Sequence, residues 1–134
     1  MKRRITFRSG FEKRVEKNLQ ERGISHEYES IKLKYVKSTC PCCKSVVATG
    51  SYTPDFIVAR STGKRLVVEG KGRFTSSDRT KMLSVVRDNP EEDIRMLFQK
   101  DDPITKGSKT RNSGWCHKHQ IPCAIGEAIP DSWL

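Results

Sequence analysis

The chain has 134 residues and 34% hydrophobic content, which supports one domain around one modest core and leaves little material for a second. Lys and Arg number 26 against 16 Asp and Glu, a net charge of +10, so a polyanion is the expected partner and nucleic acid the first candidate. No apolar run approaches the ~20 residues that cross a bilayer, and the basic residues are too dispersed for a membrane-surface helix. The basic start lacks the apolar core of a signal peptide, so a cytoplasmic location is expected.

In chain order, residues 1–8 form a basic arm carrying Arg3, Arg4 and Arg8. Residues 9–23 read as a helix, with Ser9 as N-cap and Gly23 as the stop. Phe11, Val15 and Leu19 recur every four residues and make its apolar stripe. Ser9-Gly10-Phe11-Glu12 also has the form of a capping box, which alone would account for Glu12. Residues 27–37 read as extended. Residues 52–59 and 65–70 read as two further strands, joined by a turn at Ser61-Thr62-Gly63-Lys64. Between the first and second strands lies a segment of about 38–51 that holds Cys40, Cys42 and Cys43.

Ser77 begins a second helix, with Met82, Leu83, Val85 and Val86 facing inward and Asn89-Pro90 ending it. Residues 94–98 read as a fourth strand. A polar loop follows over 99–114, then a short helix near 113–119 and a strand near 121–125. No repeat and no low-complexity tract interrupts this single domain, 1–134.

Chemistry concentrates in two segments. One is Thr53-Pro54-Asp55-Phe56-Ile57-Val58 and the other Leu66-Val67-Val68-Glu69-Gly70-Lys71. The second is an apolar run of the kind buried in a sheet, and it delivers two charged residues at its end. Residues two apart on a strand share a face, so Glu69 and Lys71 project together. Asp55, Glu69 and Lys71 suit a hard-metal site that hydrolyses phosphodiesters: the carboxylates hold Mg²⁺, and the lysine stabilises charge or orients water.

This pattern resembles the PD-(D/E)xK nuclease signature. The match extends through Phe7-Arg8-Ser9-Gly10-Phe11-Glu12, Tyr52-Thr53-Pro54-Asp55-Phe56, Val68-Glu69-Gly70-Lys71-Gly72, Ser77-Asp78-Arg79, Lys106-Gly107-Ser108, Cys116-His117-Lys118-His119 and Ile129-Pro130-Asp131-Ser132-Trp133. In that order the blocks resemble the endonuclease I family of podoviruses, the phage Holliday-junction resolvases. The resemblance implies an α/β restriction-endonuclease-like fold, a mixed sheet flanked by helices, assembled as an intertwined, segment-exchanged homodimer. It implies cleavage of four-way and branched DNA with Mg²⁺ or Mn²⁺, by a phage protein in the cytoplasm of its host cell. It also implies the catalytic set Glu12, Asp55, Glu69 and Lys71, with Glu12 completing the site of the other subunit and contributing to the metal.

Phosphate contacts are expected from Arg3, Arg4, Arg8, Lys13, Lys44, Arg73, Arg79, Lys106, Lys109 and Arg111; such contacts bring salt dependence without sequence preference. Cys40-Pro41-Cys42-Cys43-Lys44 has the C-P-x-C-K form of a zinc knuckle and departs from the family pattern as an insertion. Cys40 and Cys43 are spaced for one structural zinc. A second pair of ligands is on offer from Cys116, His117, His119 and Cys123, with Cys116 and His119 suitably spaced, or from a dimer mate; the other reading is a reduced, solvent-facing turn with small buried thiols and no metal.

Overall fold

The computed structural model describes residues 9–134, so Arg3, Arg4 and Arg8 lie outside the described residues. Three helices and seven strands follow one another: α1 Gly10–Glu21, β1 His26–Tyr28, β2 Leu33–Thr39, β3 Val46–Tyr52, β4 Phe56–Val58, β5 Leu66–Lys71, α2 Ser76–Asp88, β6 Asp93–Phe98, α3 Asn112–Lys118 and β7 Cys123–Ile125. A 3₁₀ turn over Asp131–Trp133 closes the chain. The fold is therefore α/β, with a five-stranded mixed sheet in the order β1-β4-β5-β6-β7 and a separate two-stranded ribbon of β2 and β3. The pairs β1/β4 and β4/β5 are antiparallel; β5/β6 and β6/β7 are parallel.

Side chains alternate along each strand, so each face of the sheet has its own core. On one face Phe56, Val58, Leu66, Val68 and Leu97 pack under Phe11, Val15 and Leu19 of α1, with Ile129 and Trp133. On the other, Ile57, Val67, Ile94, Met96 and Phe98 pack under Met82 and Val85 of α2 and Trp115 and Cys116 of α3. Leu83 stands 38% exposed, outside the inward set expected for α2.

Helix ends follow local chemistry. The Ser9 hydroxyl accepts from the Glu12 amide. At the far end Gly23 adopts φ +65°, and the Ile24 and Gly23 amides donate to the Leu19 and Gln20 carbonyls, a Schellman stop. The second helix is capped one residue earlier than expected. Thr75 and Asp78 exchange hydrogen bonds as a capping box.

The extended segment over 27–37 divides into β1 and β2, which join different sheets. The division falls beside Glu29, whose φ of 48° ends the β1 pairing with β4. The cysteine-containing segment is no isolated loop either. Its flanks form β2 and β3, so the thiols occupy the turn of a hairpin. Only the base of that hairpin is buried, through Leu33, Tyr35 and Tyr52. Side chains at the end of α2 hold this base: Asp88 accepts the Val36 amide at 2.7 Å, and Asn89 donates to the Lys34 carbonyl at 3.0 Å.

Candidate active site

The site begins with β5. Val67 and Glu69 point to the α2 face, so the run that fills the core also carries Glu69 inward. Glu69 is 5% exposed and Asp55 3%. Pro54 precedes Asp55 at the entry to β4, where the carboxylate meets β5 from the side: its Oδ2 accepts the Gly70 amide at 2.8 Å. A side chain at 70 would intrude here. A Cβ on Gly70 would lie 3.0 Å from the Phe11 ring and 3.4 Å from Asp55 Oδ2, so the missing side chain lets α1 close onto the carboxylate cluster.

That closure brings in Glu12. Phe11 anchors α1 on the sheet, and its neighbour Glu12 is itself buried. Glu12 accepts from the Tyr28 hydroxyl and lines one cleft of about 500 Å³ with Asp55, Glu69, Lys71, Arg14 and Arg73. In the single chain, then, the three carboxylates and the lysine come together.

Lys71 lies between two carboxylates, 3.2 Å from Glu69 and 3.4 Å from Asp78. Burial acts to lower its pKa, but Glu69 and Asp78 outweigh that and the net direction is up, so the ammonium is kept charged. On the α2 side of Glu69, the Tyr52 hydroxyl donates to Oε2 at 2.5 Å. Lys81 lies over the Tyr52 ring at 5.4 Å.

The carboxylates are short of positive charge. Burial, aided by Glu69 and Glu12, pushes Asp55 up to about 8 despite the Gly70 amide and Lys71. Burial also raises Glu69, against the pull of Lys71 and Tyr52. The three carboxylates share the cleft, but their oxygens do not all lie within 4.8 Å of one another, so a divalent cation would have to draw them closer; its charge would supply what Lys71 alone does not. Asp55, Glu69 and Glu12 are the residues that could hold it.

The expected phosphate contacts separate into groups. Arg73 lines the carboxylate cleft and also a second cavity of about 580 Å³. Arg79 and Lys106 line that second cavity, and Gly72 and Arg73 are common to both. Arg79 is also a fastener, donating to the Phe74 and Ile104 carbonyls. Arg111 donates to the Asp101 carbonyl at 2.8 Å from an exposed position, and Lys109 and Lys13 are exposed. Lys44 lies at the hairpin turn, apart from the cleft.

The thiol residues do not form one site. Cys40, Cys42 and Cys43 gather their sulfurs within 4.8 Å, and theirs is the only such cluster of His, Cys, Asp and Glu among the described residues. Cys116 is fully buried, 4.0 Å from the Met96 sulfur, and His119 packs on the Trp115 ring at 4.6 Å. The chain does not bring Cys116 and His119 to the hairpin.

Tyr52 and Asp78 are site residues that motif reasoning passes over. Both lie inside blocks that resemble the family, but neither has a charge pattern or spacing of its own that marks a role. Tyr52 becomes visible only through its hydroxyl's hydrogen bond to Glu69 of β5, and Asp78 only because its capping box leaves one oxygen facing Lys71. Arg14, which also lines the cleft, pairs with Glu127 at 2.8 Å across the fold.

A protein-family model described as phage endonuclease I matches residues 1–134. Endonuclease I of Escherichia phage T7 is 37% identical over 129 residues, covering 96% of this chain and 78% of that protein. Endodeoxyribonuclease 1 of Enterobacteria phage T3 is 36% identical over 116 residues, covering 86% of this chain and 68% of that protein.

Proposed function

The chain belongs to the phage endonuclease I family, and on that premise we propose that it is a metal-dependent endodeoxyribonuclease that cuts four-way and branched DNA. Hydrolysis of DNA follows from the family and from the names of both relatives. The observation that carries the chemistry is the cleft in which Glu12, Asp55, Glu69 and Lys71 meet.

Hydrolysis forms one bond from water oxygen to phosphorus and breaks one phosphorus–oxygen ester bond, with the water proton ending on the leaving alkoxide. A divalent cation, when bound, polarises the phosphoryl oxygen and lowers the pKa of water. Asp55, Glu69 and Glu12 are its proposed ligands. Lys71 stabilises the extra negative charge at phosphorus, and its two carboxylate partners hold it in position without neutralising the cleft. Tyr52 fixes the Glu69 carboxylate from behind, leaving Oε1 toward Lys71. Arg73, Arg79 and Lys106 line the adjoining cavity and supply a path for the neighbouring phosphates. Contacts of that kind read backbone shape, which suits selection of branched over linear DNA.

A two-fold dimer suits such a substrate, because two sites can cut two strands. In the segment-exchanged form, α1 of one subunit takes the place beside Asp55 of the other that α1 holds within the chain. The test mixes Glu12→Ala with Lys71→Ala subunits. Exchange puts both defects in one site of the heterodimer and leaves the other whole, so nicking of a junction returns. Sites built within each chain carry one defect apiece, and no activity returns.

Substrate choice is tested by cleavage of a synthetic four-way junction beside a linear duplex of matched sequence, with Mg²⁺. Preferential cutting of the junction is expected. Equal cutting of both would leave a nuclease without branch selectivity.

A further inference from the structure

We propose that the β2–β3 hairpin tip is half of a zinc site, and that a second copy of this chain supplies the other half, Cys40 and Cys43 of each copy binding one shared ion. The turn is built as a knuckle. The Cys40 amide donates to the Ser45 carbonyl at 2.8 Å and the Lys44 amide to the Cys40 carbonyl at 2.9 Å. Lys44 adopts φ 61°, the left-handed conformation that reverses the chain directly after Cys43. These bonds fix the turn around its sulfurs, although the segment has almost no apolar core of its own.

The ligand set is incomplete within the chain. A tetrahedral zinc with Zn–S bonds of about 2.3 Å sets neighbouring sulfurs roughly 3.8 Å apart. Cys42 Sγ lies 3.1 Å from Cys40 Sγ, too near for both to serve as neighbouring ligands. The knuckle pair is thus Cys40 and Cys43, and a structural site requires two more donors. The sequence offers only five Cys and three His. Cys116 is sealed in the core, its thiol donating to the Met96 sulfur. His26 is held between Glu16 and the Ile24 carbonyl, and no His belongs to the thiol cluster.

A second, independent feature singles out the same place. Val46 and Val47, directly after the knuckle, are 56% and 67% exposed, the two most exposed large apolar side chains among the described residues. Burial fades along both strands toward the turn, so the tip projects from the body of the domain. A second tip related by a two-fold axis presents the same pair of thiols and the same valines, as an isologous contact requires. Four thiolates on one dication leave excess negative charge, and Lys44 of each copy stands beside it. On binding, the four thiols release their protons to solvent.

The inference needs none of the cleft carboxylates, so it stands or falls apart from the nuclease reading. The test measures zinc per chain and molar mass on the full chain, purified without chelators. One zinc per two chains, confined to the dimer, is expected. Co²⁺ substitution should give the absorption of a four-sulfur site. Cys43→Ser should lose both metal and bands, and Cys42→Ser should keep them. One zinc per chain, no zinc, or equal metal loss in Cys42→Ser and Cys43→Ser would overturn the proposal. The wild-type stoichiometry decides even where a variant misfolds.

Discussion

The carboxylate cleft and the thiol hairpin both gather metal-ligand side chains, but they are assembled in opposite ways. The cleft draws Glu12 from α1, Asp55 from the entry to β4 and Glu69 and Lys71 from β5, segments separated by up to 59 positions in the numbering. Its carboxylates are buried, and its geometry is inseparable from the packing of α1 on the sheet. The hairpin draws its sulfurs from four consecutive positions and holds them with turn hydrogen bonds in solvent. Hard oxygen ligands in a buried cleft suit a catalytic divalent ion that must meet a phosphate; soft sulfurs at a tip suit a closed structural ion. The first arrangement couples chemistry to stability. The second leaves them separable.

That contrast is tested most severely at Glu69. Glu69→Gln keeps the shape but removes the charge that faces Lys71 and the proposed cation. Cleavage should fall by at least the order of 10²–10³-fold that a single preorganised electrostatic group supplies. Junction binding, measured by gel shift in Ca²⁺, should be retained or tightened, since a negative charge near phosphate has gone. Loss of binding in step with cleavage would instead make Glu69 part of the folding machinery. Cys40→Ser combined with Cys43→Ser should leave the cleavage rate per folded molecule within a few-fold of the parent.

Stability against pH sharpens the same contrast. The folded-state pKa of Asp55 is raised to about 8, against about 3.8 when unfolded, chiefly by burial. A raised pKa means the native state holds the proton more tightly than the unfolded chain. The stability tied to that proton is fully present below about pH 3.8 and is lost as pH rises through about 8. Metal-free protein should therefore melt at a progressively lower temperature as pH is raised through that window. Asp55→Asn should flatten this dependence and raise the melting temperature of the metal-free form near pH 8, while abolishing cleavage. Added Mg²⁺ should raise the melting temperature of the parent much more than that of the variant. An unchanged slope in the variant would move the cost of burial from Asp55 to its neighbours.

The cleft was more legible in the sequence than the fold that builds it. Asp55, Glu69 and Lys71 are visible because charges at the end of an apolar run violate the usual sorting of residues. The α1 boundaries were visible because caps are local: Ser9 begins the helix and Gly23 takes the left-handed stop. The pairing of β5 with β6 and of β6 with β7 in parallel was not visible, because it depends on crossovers through α2 and α3 and on contacts distant in sequence. The split of residues 27–37 between two sheets was hidden for a similar reason. Its break rests on one left-handed glutamate, a residue type with no preference for that conformation. Tyr52 was hidden because an aromatic residue on a strand usually signifies core, and here it is core as well as a partner of Glu69. At the hairpin the spacing of Cys40 and Cys43 was plain, but the absence of a second ligand pair from the same chain depends on Cys116 being enclosed beside Met96.

The smallest predicted effect falls at Lys44, where the separability of the hairpin can be measured directly. Its φ of 61° places a side-chain-bearing residue in a conformation that costs roughly 1–2 kcal/mol in an L-residue. Lys44→Gly removes that strain but loosens the unfolded chain, an opposing cost of roughly 0.5–1 kcal/mol. The net should be a stabilisation of up to about 1.5 kcal/mol, read as a higher melting temperature with metal content unchanged. The same substitution removes one positive charge. If Lys44 contacts a phosphate, the slope of log binding constant against log salt should shrink by about 0.9. Lys44→Gln separates the two contributions, because glutamine lacks the charge but keeps a side chain in the strained left-handed conformation. A loss of salt dependence shared by both variants assigns Lys44 to DNA. An unchanged slope in both, with stability raised in the glycine variant, leaves the lysine as a strained residue at the turn of a structural knuckle.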